Sequence, residues 1–354
     1  MRLVANTNYW DKARGPRLQE VVFRNDISPP RALELVCTTE GEVDIVTEVA
    51  PDDAARVERS EHAKLVSIDA MRAVVGIINR DAEGLPLADR RVRRALNLAV
   101  DREALVREAM CGRARPLAGL TPPTPLTLAQ LFPDRLGPYP HDAARAATLW
   151  PAAGGAGSRP LRIATMEKLE RVARAVAADL RAALGLDVEV TVYRGEEELR
   201  ARRRLAEKER PRAWDVFILE QGTQTADAPT LELHRAVVGE TGEYRAGPVV
   251  PAFEALYAEF TRQTSQVQLA LMANRIDRFV YNQDLALFLC APRALYAVNK
   301  HVQFNAYRTT LELAETTVDE GHWSRRNGSG GTAPAQSEPA SSGPSATGFH
   351  GAGC

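Results

Sequence analysis

Charge of one sign, long apolar runs, paired cysteines and paired histidines are all missing from this sequence, and each absence removes a class of function. Lys and Arg total 45 against 46 for Asp and Glu, so no net field draws the chain to a phosphate backbone and nucleic acid is not expected as a partner. No stretch approaches the roughly 18 consecutive apolar residues that a membrane helix requires. The opening residues Met1 to Asn6 lack the apolar run and cleavage site of a signal peptide, so the expectation is a chain with no export address of its own. Cys37, Cys111, Cys290 and Cys354 lie far apart with no CxxC pair, which disfavours zinc and redox sites. Cys37 and Cys290 sit in apolar stretches and read as small core residues. None of the six histidines has HxxxH spacing, and no metal or cofactor is expected.

Catalytic vocabulary is equally thin. There is no GxSxG elbow, no GxxxxGK[ST] loop, no HExxH, and no GxGxxG after a strand. Gly154, Gly155 and Gly157 precede a strand, the wrong side for phosphate binding. The acidic runs Asp52-Asp53 and Glu196-Glu197-Glu198 fall at predicted helix starts, where negative charge suits the helix dipole better than it suggests acid–base chemistry. The basic run Arg200, Arg202, Arg203, Arg204, Lys208, Arg210 and Arg212 could form an anion patch. However, Glu196 and Glu198 stand four residues before Arg200 and Arg202, so a solvated, salt-bridged helix is the favoured reading. The balance moves toward binding, and no enzymatic activity is expected.

What is present is an α/β pattern. Short strand-like runs (21–23, 44–46, 65–68, 73–78) alternate with helical composition at 30–37 and 52–59. Asp89 can cap an amphipathic helix that carries Val92, Leu96, Ala99, Val100 and Leu105 on one face and places the arginines at 90, 91, 93 and 94 mainly on its wet side. Residues 111–160 hold nine of the 22 prolines and read as a connecting loop, with a short helix over 142–149. The strand at 161–164 leads into a helix with Leu169, Val172, Val176, Leu180 and Leu184 on one face. That helix carries the pairs Glu167–Arg171 and Glu170–Arg174 and stops at Gly185. A strand at 188–192, a charged helix over 196–209 and a strand at 214–219 complete βαβαβ, the mark of a parallel sheet covered by helices. Two more amphipathic helices follow, then strand-like runs at 285–289 and 294–298 separated by Pro292. The last residues, 327–354, are mostly Gly, Ser, Pro and Ala and are expected to be disordered.

Several segments resemble one family. Asn6-Thr7-Asn8-Tyr9-Trp10-Asp11-Lys12 and the following 18–23, Gly41-Glu42-Val43-Asp44-Ile45-Val46 with Pro51, and above all the run from Asp89 to Arg102 (DRRVRRALNLAVDR) are similar to stretches of the family 5 solute-binding proteins of ABC transporters, the oligopeptide, dipeptide and nickel carriers. His141 to Ala146, Trp214-Asp215-Val216 and Asp227-Ala228-Pro229 are similar to further segments, in the family's order. The resemblance implies an α/β, bilobal, type II periplasmic-binding-protein-like fold. Because the first of these stretches begins at residue 6, it also implies a chain lacking the N-terminal part of lobe one and the small extra domain. Residues 1–84 and 291–326 would be the remainder of lobe one. Lobe two would span 85–290, with its βαβαβ core at 161–220.

The resemblance further implies a small solute, peptide-like by preference, held between lobes and handed to an ABC permease by an extracytoplasmic monomer. Asp227 follows the third strand of the βαβαβ unit, where ligands meet open α/β sheets, and the matching turn of peptide carriers holds the ligand's amino terminus. The alternative for Asp227 is a turn cap before Pro229. Gln221, Gln224 and Thr225 are candidate neutral hydrogen-bonding partners of the ligand. The crossings near Asn79 and near Pro292 are candidate hinges. Tyr9 and Trp10 are expected to pack at the start of lobe one. Competing readings are a cytoplasmic ligand-sensing module, an enzyme with an unrecognised site, and a non-functional remnant.

Overall fold

A computed structural model describes residues 1–122, 136–152, 159–223, 232–306 and 313–326; the expected disordered tail lies outside them. The described residues fall into two compact units. Unit 1 takes the described residues of 1–67 and 295–326, and unit 2 those of 68–294. The chain therefore changes unit at Ser67/Ile68 and Ala294/Leu295, whereas the sequence reading places the change at 84/85 and 290/291. At the first crossing the difference takes in one whole strand with the residues on either side of it. Arg72–Ile78 pairs along its whole length within the sheet of unit 2 and so belongs there.

Unit 1 begins with an antiparallel ribbon of β1 (Arg2–Val4) and β2 (Glu20–Val22). The helix α1 (Pro29–Thr38) follows, then β3 (Ile45–Val46), α2 (Ala54–Glu58) and β4 (Ala63–Asp69), whose last two residues fall in unit 2. Proline in the first turn of α1 is tolerated because that N–H has no intrahelical acceptor. The helix then buries Leu33, Val36 and Cys37 against Val49, Val57, Leu295 and Ala297. Asp44, from the Gly41–Val46 segment, is used up inside this unit. Its Oδ1 accepts from Trp323 Nε1 at 3.0 Å and Asn299 Nδ2 at 3.2 Å, and lies 3.0 Å from His322 Nε2. Tyr9 and Trp10, expected to pack at the start of lobe one, pack there only against each other. Trp10 is 82% exposed, because the β1/β2 ribbon buries no side chain and the two rings pack against each other, 5.7 Å apart.

Unit 2 follows the predicted pattern closely. Its elements are β5 (Arg72–Ile78), α3 (Arg90–Ala99), α4 (Arg102–Ala109), β6 (Ala114–Pro116), α5 (Ala143–Ala152), β7 (Leu161–Met166), α6 (Glu170–Leu184) and β8 (Val188–Tyr193). After them come α7 (Glu196–Ala206), β9 (Val216–Gly222), α8 (Leu233–Val238), α9 (Pro251–Thr261), α10 (Gln266–Asn282) and β10 (Ala286–Asn299), which runs on into unit 1 from Leu295. The strands β8, β7 and β9 are parallel neighbours; β5 pairs antiparallel with β9, and β10 with β5. Apolar side chains at three-to-four spacing bury Val172, Val176 and Leu180 of α6 completely or nearly so. Gly185 ends that helix in the left-handed conformation at φ 64°. Gly76 has no Cβ where one would lie 2.8 Å from Val216 and 2.9 Å from Leu287, so β5 can sit tightly between its neighbours.

Two sequence expectations are revised here. Pro292 does not separate two strands; β10 runs through it. The strand pairs with β5 from Ala286 to Cys290, with a register shift between Phe288 and Cys290, and with β6 from Cys290 to Pro292. The proline thus sits at the end of the β6 pairing and near an irregularity, where a missing N–H is tolerated. Nor do all the arginines of α3 face water. Arg93 is 4% exposed and donates to the carbonyls of Leu87, Ala88, Gln283 and Asp284 at 2.7–3.1 Å.

The rest of that motif is scaffold too. Asp89 and Asp101 cap α3 and α4 through the N–H groups of Arg91 and Ala104, so the helix expected to reach Leu105 is two helices. Asn97 is fully buried and clamps β10 through Ala286 O and Phe288 N. Arg102, also buried, donates to Phe288 O at 2.6 Å. Four donors aimed at carbonyls let a guanidinium enter a core at tolerable cost.

Candidate functional site

In a parallel α/β sheet the strand ends and the turns after them collect on one edge, and polar groups there need not be buried. In unit 2 this edge is formed by Met166, Tyr193 and Gly222, with Arg72 of the antiparallel β5 directly opposite Gly222. The apolar run Val216–Leu219 of β9 gives way at this edge to Glu220 and Gln221. The Glu220 carboxylate accepts from Arg72 Nη1 at 3.1 Å and from Lys168 Nζ, in the turn after β7, at 3.3 Å. Its side chain is 17% exposed, against 36% for Arg72 and 57% for Lys168. Beyond β8, Arg194 pairs with Glu167 and Glu170, and Glu198 accepts from the Glu167 N–H at 2.9 Å. The edge therefore holds one half-buried carboxylate between two flexible cations, flanked by a second cluster of mixed sign. Such an arrangement can exchange its internal partners for the ends of a small zwitterion.

Of the residues expected at the ligand, Gln221 lies in β9 opposite Ala73, and its side-chain amide donates to the Gly222 carbonyl at 3.2 Å. Asp227, Gln224 and Thr225 lie outside the described residues. Glu220, Arg72 and Lys168 were not singled out from the sequence. The available signal was the switch from apolar to charged residues at a strand's carboxyl end.

Of the expected hinge residues, Pro292 lies just before the crossing at Ala294/Leu295. Asn79 is buried inside unit 2, where its backbone N–H donates to Asp215 O at 2.8 Å and its Nδ2 to Trp214 O at 3.3 Å.

The chain returns from the edge through His234, which has no exposed surface. Its Nε2 lies 2.9 Å from Asp277 Oδ1, and that oxygen also accepts from the N–H of Leu120 at 2.9 Å. The opposite end of β9 carries a quite different carboxylate. Asp215 is buried and accepts from Arg159 at 2.6 and 2.8 Å, from Arg162 Nη2 at 3.1 Å and from the Arg162 N–H at 2.9 Å. Burial works against its charge, but these donors hold its pKa below the usual carboxylate value. Both free cysteines among the described residues, Cys37 and Cys290, are buried. Among the described residues no group of three or more His, Cys, Asp or Glu side chains is placed to hold a metal ion, and no helix is long and apolar enough to cross a membrane.

Residues 1–232 match the family described as bacterial extracellular solute-binding proteins, family 5 (middle region). The chain belongs to this family. Among its relatives, a glutathione-binding protein GsiB from Salmonella paratyphi A is 28% identical over 148 residues, 42% of this chain and 27% of the relative. A di/tripeptide-binding protein 2 from Pseudomonas aeruginosa is 23% identical over 310 residues, 85% of this chain and 55% of the relative. The ABC-transporter substrate-binding protein CtaP from Listeria monocytogenes matches 90% of this chain with a TM-score of 0.74 at 16% identity, over 63% of its own length. NikA from Brucella suis, solved with Fe(III)-EDTA, matches with a TM-score of 0.72 at 19% identity. The fold is thus the type II periplasmic-binding-protein fold expected from the sequence. The chain spans about a quarter to a little over half the length of the curated relatives it matches. This family 5 chain carries its shared motifs mainly as scaffold: Asp44, Asp89, Arg93, Asn97, Asp101, Arg102 and Asp215 all have internal partners.

Proposed function

We propose that this chain belongs to the solute-binding component of an ABC uptake transporter and takes a small peptide-like solute at the carboxyl edge of its parallel strands. On this reading it serves a membrane permease from the extracytoplasmic side, as a monomer, and does no chemistry on its ligand. The observation that carries the reading is the Glu220 carboxylate set between Arg72 and Lys168, a few residues before Gln224, Thr225 and Asp227 in the sequence. A short peptide presents an ammonium group at one end and a carboxylate at the other. Glu220 and Asp227 suit the first, Arg72 and Lys168 the second, and Gln221 suits the amides between. Names among the relatives point the same way, including the di/tripeptide-binding protein above and DppA from Helicobacter pylori, solved with the peptide STSA. Ligand would act by favouring the conformer that contacts it best, with movement at the chain crossings; Pro292 is the better placed of the two expected hinge residues.

The test is calorimetric titration of the intact chain with di- and tripeptides and with glutathione, alongside Glu220→Gln and Asp227→Asn. Saturable binding is expected, weakened about tenfold or more by each substitution, the loss that follows when a charge-assisted bond of about 1.5–3 kcal/mol is removed. Absence of binding to every peptide, or equal affinity in all three proteins, overturns the reading.

A further inference from the structure

The basic run from Arg200 to Arg212 divides into two parts. The helical part is salt-bridged, but only partly through the expected pairs: Arg200 meets Glu196 at 3.1 Å, whereas Glu198 accepts from the Glu167 N–H in place of Arg202, and Arg203 pairs with Glu207 at 2.8 Å. Past the helix, Arg210 alone of the run has an ion-pair partner among the described residues. Lys208 and Arg212 have no carboxylate within 4.0 Å among the described residues, and neither do Arg80 and Arg245, which the fold brings to the same place. Lys208 Nζ and Arg245 Nε both donate to one oxygen, the Glu240 carbonyl, at 3.4 and 3.3 Å. Arg80 lies under the same segment. Its N–H donates to Ala246 O at 3.2 Å and its Nη2 to Pro248 O at 2.8 Å.

Gly247 permits this crossing, with φ 121°, where a Cβ would lie 2.6 Å from Arg80 Cβ. The Arg212 guanidinium lies over the Trp214 ring, 5.7 Å from its centroid, which leaves its in-plane N–H groups for an acceptor. Two carboxylates are nearby. Asp81 is taken by Arg210 at 2.7 Å, and Glu240 exerts its charge on Lys208 without forming an ion pair.

All four cations are half-buried. Burial and mutual repulsion lower the pKa of Lys208 and Arg212 below their ordinary values, and that of Arg80 to about 10. Cations that lose water without gaining a counter-charge carry an electrostatic cost that a bound anion removes.

We propose that Arg80, Lys208, Arg212 and Arg245 form a binding site for a phosphate-class oxyanion at the amino end of β9. The site stands apart from the peptide edge at that strand's other end, on the order of 20 Å away at 3.3 Å per residue. It does not depend on the identity of the transported solute. The anion is either free phosphate or the phosphate of an anionic lipid headgroup, and the experiment separates them.

Thermal unfolding of the intact chain is followed while inorganic phosphate replaces chloride at constant ionic strength, in the wild type and in Lys208→Met/Arg212→Met. A saturable rise in Tm is expected in the wild type, with apparent affinity about tenfold or more weaker in the double variant; phosphate's general stabilising effect appears equally in both. Co-sedimentation with phosphatidylcholine vesicles, with and without phosphatidylglycerol, assigns the source. Capture that requires phosphatidylglycerol and these two residues identifies a headgroup, and no capture alongside a saturable phosphate response identifies the free anion. A second measurement holds even where the double variant folds poorly. Lys208→Gln alone should raise Tm at low salt, because it relieves repulsion, with the gain shrinking as chloride is added. Identical phosphate responses in wild type and double variant, or a lower Tm for Lys208→Gln at low salt, overturn the proposal.

Discussion

One strand, β9, carries a carboxylate at each end, and each carboxylate is met by two cations. At the amino end Asp215 has no exposed side-chain surface and takes four hydrogen bonds from two guanidiniums, besides the Arg162 N–H. At the carboxyl end Glu220 takes one bond from each of two cations, which are one-third and more than one-half exposed. A buried charge whose donors are planar guanidiniums in fixed forks cannot change partners without a large cost. A partly solvated charge held by long, separate side chains can. The residue types are nearly the same, and the difference between framework and site lies in saturation and exposure.

The comparison breaks most visibly at Asp215. Asp215→Asn leaves two arginines facing a neutral acceptor and should destabilise the protein by about 3 kcal/mol, the low end of the range for breaking a buried pair because both arginines keep some solvent. Urea unfolding at neutral pH measures it, and a loss below about 1 kcal/mol would contradict the framework role. The pH dependence follows from the sign of the shift. The folded pKa of Asp215 lies below the ordinary 3.8, so its contribution is intact above 3.8 and is lost as pH falls through the folded value. The Asn variant should lack that acid-labile component.

A third carboxylate sharpens the point with the opposite sign. Asp284 follows α10 in the left-handed conformation at φ 50°, fully buried. The Tyr139 hydroxyl donates to it, and so does Arg90 at 3.2 Å, with Arg94 at 3.9 Å. Burial outweighs these partners and raises its pKa. A raised carboxylate favours the folded state below 3.8, and that contribution is lost as pH rises through the folded value. Asp284→Asn should cost about 1–2 kcal/mol near neutrality and leave a flatter stability profile above pH 4. A wild-type stability that rises across that window because of Asp284, shown by a steeper fall in the variant, would reverse the assignment.

These buried clusters also explain what could be read from sequence. The βαβαβ unit was legible because α6 keeps the helical period, β7 and β9 are short apolar runs of strand length, and Gly185 marks the end of α6. The family was legible through Asp89, Asn97, Asp101 and Arg102 because their tasks, capping helices and clamping β10, depend on position as much as on residue type. The same reasoning misplaced Arg93, since no local pattern shows that four carbonyls will converge on it from residues 87–88 and 283–284. It also passed over Glu220, whose partners stand 148 and 52 residues away in the chain. Long-range pairing, and not composition, decides which charges are spent on the framework.

The smallest expected change in stability belongs to the residue with the largest expected change in binding. Glu220→Gln keeps the shape and the hydrogen-bonding capacity of the side chain, and both its cations retain solvent, so the unfolding free energy should move by no more than about 1 kcal/mol. Arg72 and Lys168 then lose their internal anion and become freer to take a ligand carboxylate, while the ligand's ammonium loses its acceptor. Affinity for a zwitterionic peptide should fall, whereas affinity for the same peptide acetylated at its amino terminus should fall less or rise. Equal losses for both ligands would mean that Glu220 supports the edge without touching the amino terminus. A destabilisation near that of Asp215→Asn would place Glu220 with the framework, and the two ends of β9 would no longer differ in kind.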